Sequence, residues 1–258
     1  MKMTEIQNVI EAMSPLDLQE QWDNSGFQII LSDDEVNKVL VAMEVTQAVS
    51  DEAVRCNADL IITHHPLIFN KLNQVNHNDV IGNMIIKLIK AGISVYSTHT
   101  PFDKCKGGNN DYLARLLHLC NVKVMDSDDV GYCRYGFTQC EYNIEEYIDK
   151  VCEWLKIDKS FVSFAGDTKK RINKVGICTG SGADFIEAAF KENCDLFITG
   201  DVKYHAAQTA RELGINVLDI GHYGSEKIFT ENIALYLREN TDVCVIMSEK
   251  DLNPFVKI

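Results

Sequence analysis

Asn57-Ala58-Asp59-Leu60-Ile61-Ile62-Thr63 recurs later in the chain as Asn193-Cys194-Asp195-Leu196-Phe197-Ile198-Thr199. Each copy is a short apolar run of strand length that follows a polar turn. Working outward, Asn37-Lys38-Val39 recurs as Asn173-Lys174-Val175, and Ala91-Gly92-Ile93-Ser94-Val95 as Leu213-Gly214-Ile215-Asn216-Val217. The identities are few, but they fall on matching elements, so the chain carries an internal repeat. Each copy reads β-α-β-α-β-α-β. In the first, the strands are VLVAMEV, DLIIT, ISVYST and VKVMD, and the helices are 47–57, 79–91 and 109–119. The helix at 79–91 is opened by Asn78 or Asp79 and closed by Gly92. The second copy gives KVGICT, DLFIT, INVLDI and DVCVIM, with helices at 183–193, 203–213 and 226–238. Short apolar strands alternating with helices predict an α/β fold of two similar βα-repeat lobes, with mainly parallel sheets covered on both faces.

Two stretches lie outside the repeat. Residues 4–13 place Ile6, Val9, Ile10 and Met13 on one helical face, with Thr4 as N-cap and Ser14-Pro15 as the stop. Residues 127–172 insert a strand, a helix opened by Asn143 with Glu146 three residues on, and another strand. The acidic turn Asp126–Asp129 is the expected boundary, giving a first lobe over 1–126 and a second over 127–258. Whether the C-terminal elements pack back on the first lobe is left open by the pattern.

At about 150 residues per domain, 258 residues make one large domain or two smaller ones. An apolar fraction of 46% and a charged fraction of 24% exclude disordered, collagen-like and coiled-coil classes. No apolar run nears the ~18 residues of a membrane span, and the N-terminal stretch MKMTEIQNVIEAM does not read as a signal peptide. A cytoplasmic protein is expected. Nine cysteines, an odd number without a C-x-x-C pair, then read as reduced thiols. A net charge of −13 argues against nucleic acid as a partner, since the longest basic cluster, Lys169-Lys170-Arg171, is short and reads as a solvated loop.

In open α/β sheets, ligands bind beyond the carboxyl ends of the strands. His64-His65-Pro66 follow DLIIT, and His99 and Asp103 follow ISVYST. Asp201 and His205 follow DLFIT, and His222 and Glu226 follow INVLDI. Five of the seven histidines fall in this one set of positions. Imidazole with carboxylate suits a divalent metal such as zinc, manganese, iron or nickel. Adjacent His64 and His65 can serve one site, or two neighbouring metals, from a loop. Ser225 as N-cap would put His222 in the turn before the helix, making a loop-to-helix site. Trp22, Asn24 and Asp201 are candidate substrate-binding residues. The blander alternatives stand beside them: the Trp22–Gly26 stretch packs the first helix down, and Asp201 caps helix 203–213. Gly107-Gly108 reads as a turn, with phosphate binding at the following helix as the alternative.

ITHHPLIF, STHTPFDKCKGGNND, ITGDVKYHAA and DIGHYGSE, flanked by WDNSGFQI and NPFVKI, resemble in order the signatures of the NGG-one-interacting-factor-three-like family. The resemblance runs from about residue 4 to 258. It implies two lobes with a dinuclear metal centre between them, held by His64, His65, Asp103, His222 and Glu226. It also implies a hexameric ring, and the short form of the family. The activity implied is that of GTP cyclohydrolase 1 type 2, in which purine ring opening of GTP releases formate. His99, or His205 second, is then the candidate catalytic acid/base. The alternatives are a metal-binding regulatory or interaction scaffold, or a hydrolase of another nucleotide or phosphoester.

Overall fold

The computed structural model describes residues 1–125, 128 and 131–256. Residues 126, 127 and 129 of the acidic turn therefore lie outside the described residues. The strands are β1 Gly26–Ile29, β2 Lys38–Ala42, β3 Leu60–Thr63, β4 Ser94–Ser97, β5 Cys120–Val124, β6 Arg134–Asn143, β7 Ser163–Ala165, β8 Arg171–Ile177, β9 Leu196–Thr199, β10 Asn216–Asp219 and β11 Cys244–Met247. The α-helices are α1 Met3–Met13, α2 Gln47–Cys56, α3 Val80–Ala91, α4 Thr100–Lys104, α5 Asn109–Leu116, α6 Ile144–Leu155, α7 Ile186–Lys191, α8 Tyr204–Leu213, α9 His222–Glu226 and α10 Phe229–Asn240.

The chain divides into two compact units. One comprises Met1–Gly108 and Phe229–Leu252, the other Asn109–Ile228 and Asn253–Ile258. The first holds a five-stranded sheet in the order β1-β4-β3-β2-β11, parallel except for β1 on the edge. Side chains alternate across it as the pleat requires. Val39, Val41, Leu60, Ile62 and Tyr96 pack with α1 and α10 on one face. Leu40, Ala42, Ile61 and Val95 pack with α2 and α3 on the other.

The second unit holds a six-stranded sheet in the order β5-β6-β8-β9-β10-β7. Its centre, β8-β9-β10, is parallel, and β5, β6 and β7 add antiparallel edges. Val175, Ile177, Leu196 and Ile198 pack with α5 and α6 on one face. Phe197 and Val217 pack with α7 and α8 on the other.

The repeated residues do the same work in both units. Asp59 accepts the main-chain N–H groups of Asn37 and Lys38 at 2.8 and 2.9 Å. Asp195 accepts those of Asn173 and Lys174 at 3.0 and 2.7 Å. Lys38 and Lys174 each donate to a carbonyl at the end of the helix that follows, those of Cys56 and Glu192. Asn57 and Asn193 take left-handed conformations, φ 52° and 56°, which asparagine tolerates better than most residues. The identities thus fix how each βα unit closes and leave the strand ends free to differ.

Two local expectations need correction. Helix α1 begins at Met3, and Thr4 does not cap it; the Thr4 N–H is instead taken by Asp33 Oδ1 at 3.0 Å. The helix expected over 226–238 is two helices, α9 and α10. Asn143 does cap α6, accepting the Glu146 N–H at 2.9 Å. Among the described residues, no helix is long and apolar enough to cross a membrane.

Candidate metal centre

In the first unit the ends of β3 and β4 bring three histidines together. The N–H groups of His64 and His65 both donate to the Met43 carbonyl, at 3.0 and 2.9 Å. That shared anchor turns both rings the same way, with centroids 5.0 Å apart. His99 stands over them, 5.1 Å from His64 and 5.4 Å from His65 between centroids. Each ring offers a nitrogen, and the three atoms lie within 4.8 Å of one another.

Hydrogen bonds set the tautomers of two of these rings. His64 is fully buried, and its Nδ1–H donates to the Thr98 carbonyl at 3.1 Å. That leaves the lone pair on Nε2, 3.5 Å from Asp103 Oδ1. Asp103 is itself buried on α4. A lone pair facing a carboxylate across that distance is favourable only with positive charge between them, a proton or a cation. His99 Nδ1–H donates to Asp23 Oδ1 at 2.8 Å, which leaves the lone pair on its Nε2. The donor set is imidazole and carboxylate, the chemistry of zinc, manganese, iron and nickel sites, and it fits a divalent ion.

Asp23 is a heavily engaged carboxylate of this cluster. Besides His99 it accepts from the Thr100 hydroxyl at 2.6 Å, the Thr100 N–H at 3.2 Å and the Ser25 hydroxyl at 2.9 Å. Burial works to raise its pKa, but the bonds from His99, Thr100 and Ser25 outweigh it and hold the carboxyl well below the usual carboxylate range.

In the second unit the loop after β10 presents His222. Its Nδ1 lies 2.8 Å from Asp201 Oδ2, and its Nε2 lies 2.8 Å from Glu226 Oε2. Asp201 holds that position in a left-handed conformation, φ 56°. Glu226 is 3% exposed. Gly180 passes so close to it that an added Cβ would sit 2.1 Å from Glu226 Oε1, and its φ of +67° also favours glycine.

Comparison with known proteins is decisive about kinship. The family model for Duf34/NIF3 (NGG1p interacting factor 3) matches residues 1–254. The chain belongs to the Duf34/NIF3 family. A relative from Clostridium perfringens named GTP cyclohydrolase 1 type 2 homolog is 36% identical, over 99% of both chains. A Helicobacter pylori protein named GTP cyclohydrolase 1 type 2 is 35% identical, over 89% of both. The fold is also that of a Bacillus cereus protein related to NIF3, with a TM-score of 0.92 at 24% identity over 100% and 99% of the two chains.

Within this Duf34/NIF3 chain, the structure gathers His64, His65, His99 and Asp103 in one unit and His222 and Glu226 in the other. One reading of the pattern is corrected. His222 and Glu226 share a helix face, because α9 starts at His222 with Gly221 as its N-cap. Ser225 cannot open the helix: its hydroxyl donates to the His222 carbonyl and accepts the Gly180 N–H, both at 2.8 Å. Asp201 does not cap α8, whose N-cap is Lys203; it orients His222. His205 stands exposed on the first turn of α8, its ring 5.3 Å from that of Tyr204.

Trp22 is 59% exposed and meets His99 edge-on at 5.8 Å. The Asn24 amide donates to the Ile68 carbonyl at 2.7 Å, tying the loop after His65 to the Trp22 segment. Gly108 serves packing, since a Cβ there would sit 1.8 Å from the Phe102 carbonyl oxygen. Asp23, which holds the His99 ring, is a residue of this cluster that the sequence pattern did not single out. The signal was its position within WDNSG, between two candidate residues.

Proposed function

We propose that this Duf34/NIF3 protein is a metal-dependent hydrolase with a dinuclear centre, acting on GTP with release of formate. His64, His65, Asp103, His222 and Glu226 would be its ligands. The observation that carries the reading is the tautomer arrangement in the first unit. His64 and His99 both give Nδ1–H to an oxygen and keep Nε2 for a cation or a proton. When bound, divalent ions supply Lewis acidity and a water acidified toward neutral pH.

The protein's own groups then have separable tasks. Water adds to C8 of the purine, a C8–N bond breaks to leave a formamide, and a second water releases C8 as formate. His99, held by Asp23, takes the proton from the attacking water and returns it to the departing ring nitrogen. Asp23 remains ionised and stabilises the imidazolium in between. Asp201 orients His222 so that its Nε2 stays turned toward Glu226. Trp22 and Phe69, both exposed and 6.2 Å apart between centroids, offer faces on which a planar base rests beside His99. A cytoplasmic setting goes with nine cysteines that form no disulfide among the described residues. Assembly into a ring of six copies belongs to the same proposal and is read by light scattering.

The test is formate release from GTP by metal-loaded protein and by His99→Ala. Release that falls at least 100-fold in His99→Ala while metal stays bound supports the assignment. Metal bound without formate release removes GTP as the substrate.

A further inference from the structure

A cleft of about 370 Å3 opens in the second unit, and none of the residues of either histidine cluster lines it. That volume lies within the range of small-molecule sites. Its walls are His118 after α5, Tyr142 at the end of β6, and Tyr147, Lys150 and Trp154 along α6. The cleft exists because β6 loses register with β8 between Phe137 and Tyr142. The irregular stretch leaves the exposed Gln139 at the rim.

The rings form a continuous aromatic lining. His118 meets Trp154 edge-on at 4.8 Å, Tyr147 meets Trp154 edge-on at 6.1 Å, and Tyr142 lies tilted on Tyr147 at 5.4 Å. Lys150 holds its ammonium over two of these rings, 5.6 Å from the centre of Tyr142 and 6.0 Å from that of Trp154. It has no carboxylate within ion-pair distance among the described residues. The neighbouring Asp149 is engaged by Lys159 instead. In a chain of net charge −13, a half-buried cation kept over ring faces and away from carboxylates stands out.

We propose that this cleft binds a small planar aromatic acid, its ring against Tyr142 and Trp154 and its anionic group on Lys150. The ring faces give sequence-independent stacking, and Lys150 supplies the charge that selects an acid over its neutral analogue. The Gln139 amide at the rim is a further donor for that group. Carboxylate and phosphate share this chemistry, so the site takes an aromatic carboxylate or a nucleoside monophosphate. The inference is independent of the hydrolase reading.

Trp154 is one of only two tryptophans, so it reports on the cleft directly. The full chain is labelled with 5-fluorotryptophan, and Trp22→Phe assigns the two fluorine signals. 2-Naphthoate and guanosine 5′-monophosphate are titrated separately, with 2-naphthalenemethanol as the neutral analogue. A saturable shift of the Trp154 signal by either acid is expected, with the alcohol at least fivefold weaker. Lys150→Gln should weaken the acid about fivefold, the size of one partly screened ion pair, and leave the alcohol unchanged. The arm that binds identifies carboxylate or phosphate as the natural group. A Trp154 signal unmoved by both acids up to their solubility overturns the proposal. So does equal binding of acid and alcohol, or a Lys150→Gln variant that binds the acid as wild type does.

Discussion

His99 Nδ1 lies 2.8 Å from Asp23 Oδ1, and the carboxylate is further held by Thr100 and Ser25. The imidazole therefore has one tautomer and one orientation, and its Nε2 faces the neighbouring histidines. Asp23→Asn removes the charge that stabilises imidazolium while preserving shape. On the proposed mechanism, turnover falls roughly 10²–10⁴-fold, with metal content unchanged. Steady-state kinetics with elemental analysis on the same preparation checks both halves of that statement.

The same carboxylate makes stability depend on pH. Its folded pKa lies below the ordinary value, so the unfolded chain binds the proton more readily. Its contribution is therefore fully present above the unfolded pKa of about 3.9 and is lost as pH falls toward the folded value. Urea midpoints of wild type and Asp23→Asn should differ at pH 7 by an amount worth about 2 kcal/mol. The gap should narrow below pH 4. A gap that widens on acidification contradicts the assignment of Asp23 as ionised.

Tyr147 is fully buried, and its hydroxyl has no hydrogen-bond partner among the described residues. An unsatisfied buried donor costs free energy that Phe does not incur. Tyr147→Phe should leave stability unchanged or raise it by up to about 1 kcal/mol, some 2 °C in Tm for a protein of this size. Thermal unfolding followed by circular dichroism decides it.

Gly180 offers the opposite case. Its φ of +67° strains any side chain, and a Cβ would strike Glu226. Gly180→Ala should cost about 1–3 kcal/mol and displace the Glu226 carboxylate. Its metal content should fall toward that of Glu226→Gln, which elemental analysis of the two variants compares.

Cysteine reactivity separates surface from core. Cys120, Cys140 and Cys244 are exposed, whereas Cys194 is buried and its thiol is pushed up to about 12 by burial. Native protein at pH 8 should alkylate rapidly at the three exposed positions, and Cys194 only after denaturation. Peptide mapping after a short pulse of iodoacetamide shows which thiols react.

Much of this was legible in the sequence because the repeat is written in residues with local roles. Asp59 and Asp195 tie down the strand that precedes them, and Asn57 and Asn193 turn the chain, so their spacing announces a βα unit. His64 and His65 were legible as a loop pair, since alternation forbids both on one strand face. The roles of Asp23 and Asp201 were hidden. Each touches its histidine across 76 or 21 residues of sequence, a separation that no local pattern records. The α9 start at His222 was misread because Ser225 has the composition of a cap, while Gly221 supplies the conformation for one. The membership of α5 was also hidden: the repeat places it in the first copy, yet its Leu113 packs in the second unit's core.

The central claim is that these histidines and carboxylates hold metal, and elemental analysis of purified protein tests it most directly. Wild type reconstituted with zinc, manganese or iron should bind two ions per chain. His65→Ala and Glu226→Gln should each bind fewer while remaining folded. Wild-type protein that binds no divalent ion after reconstitution would contradict the account.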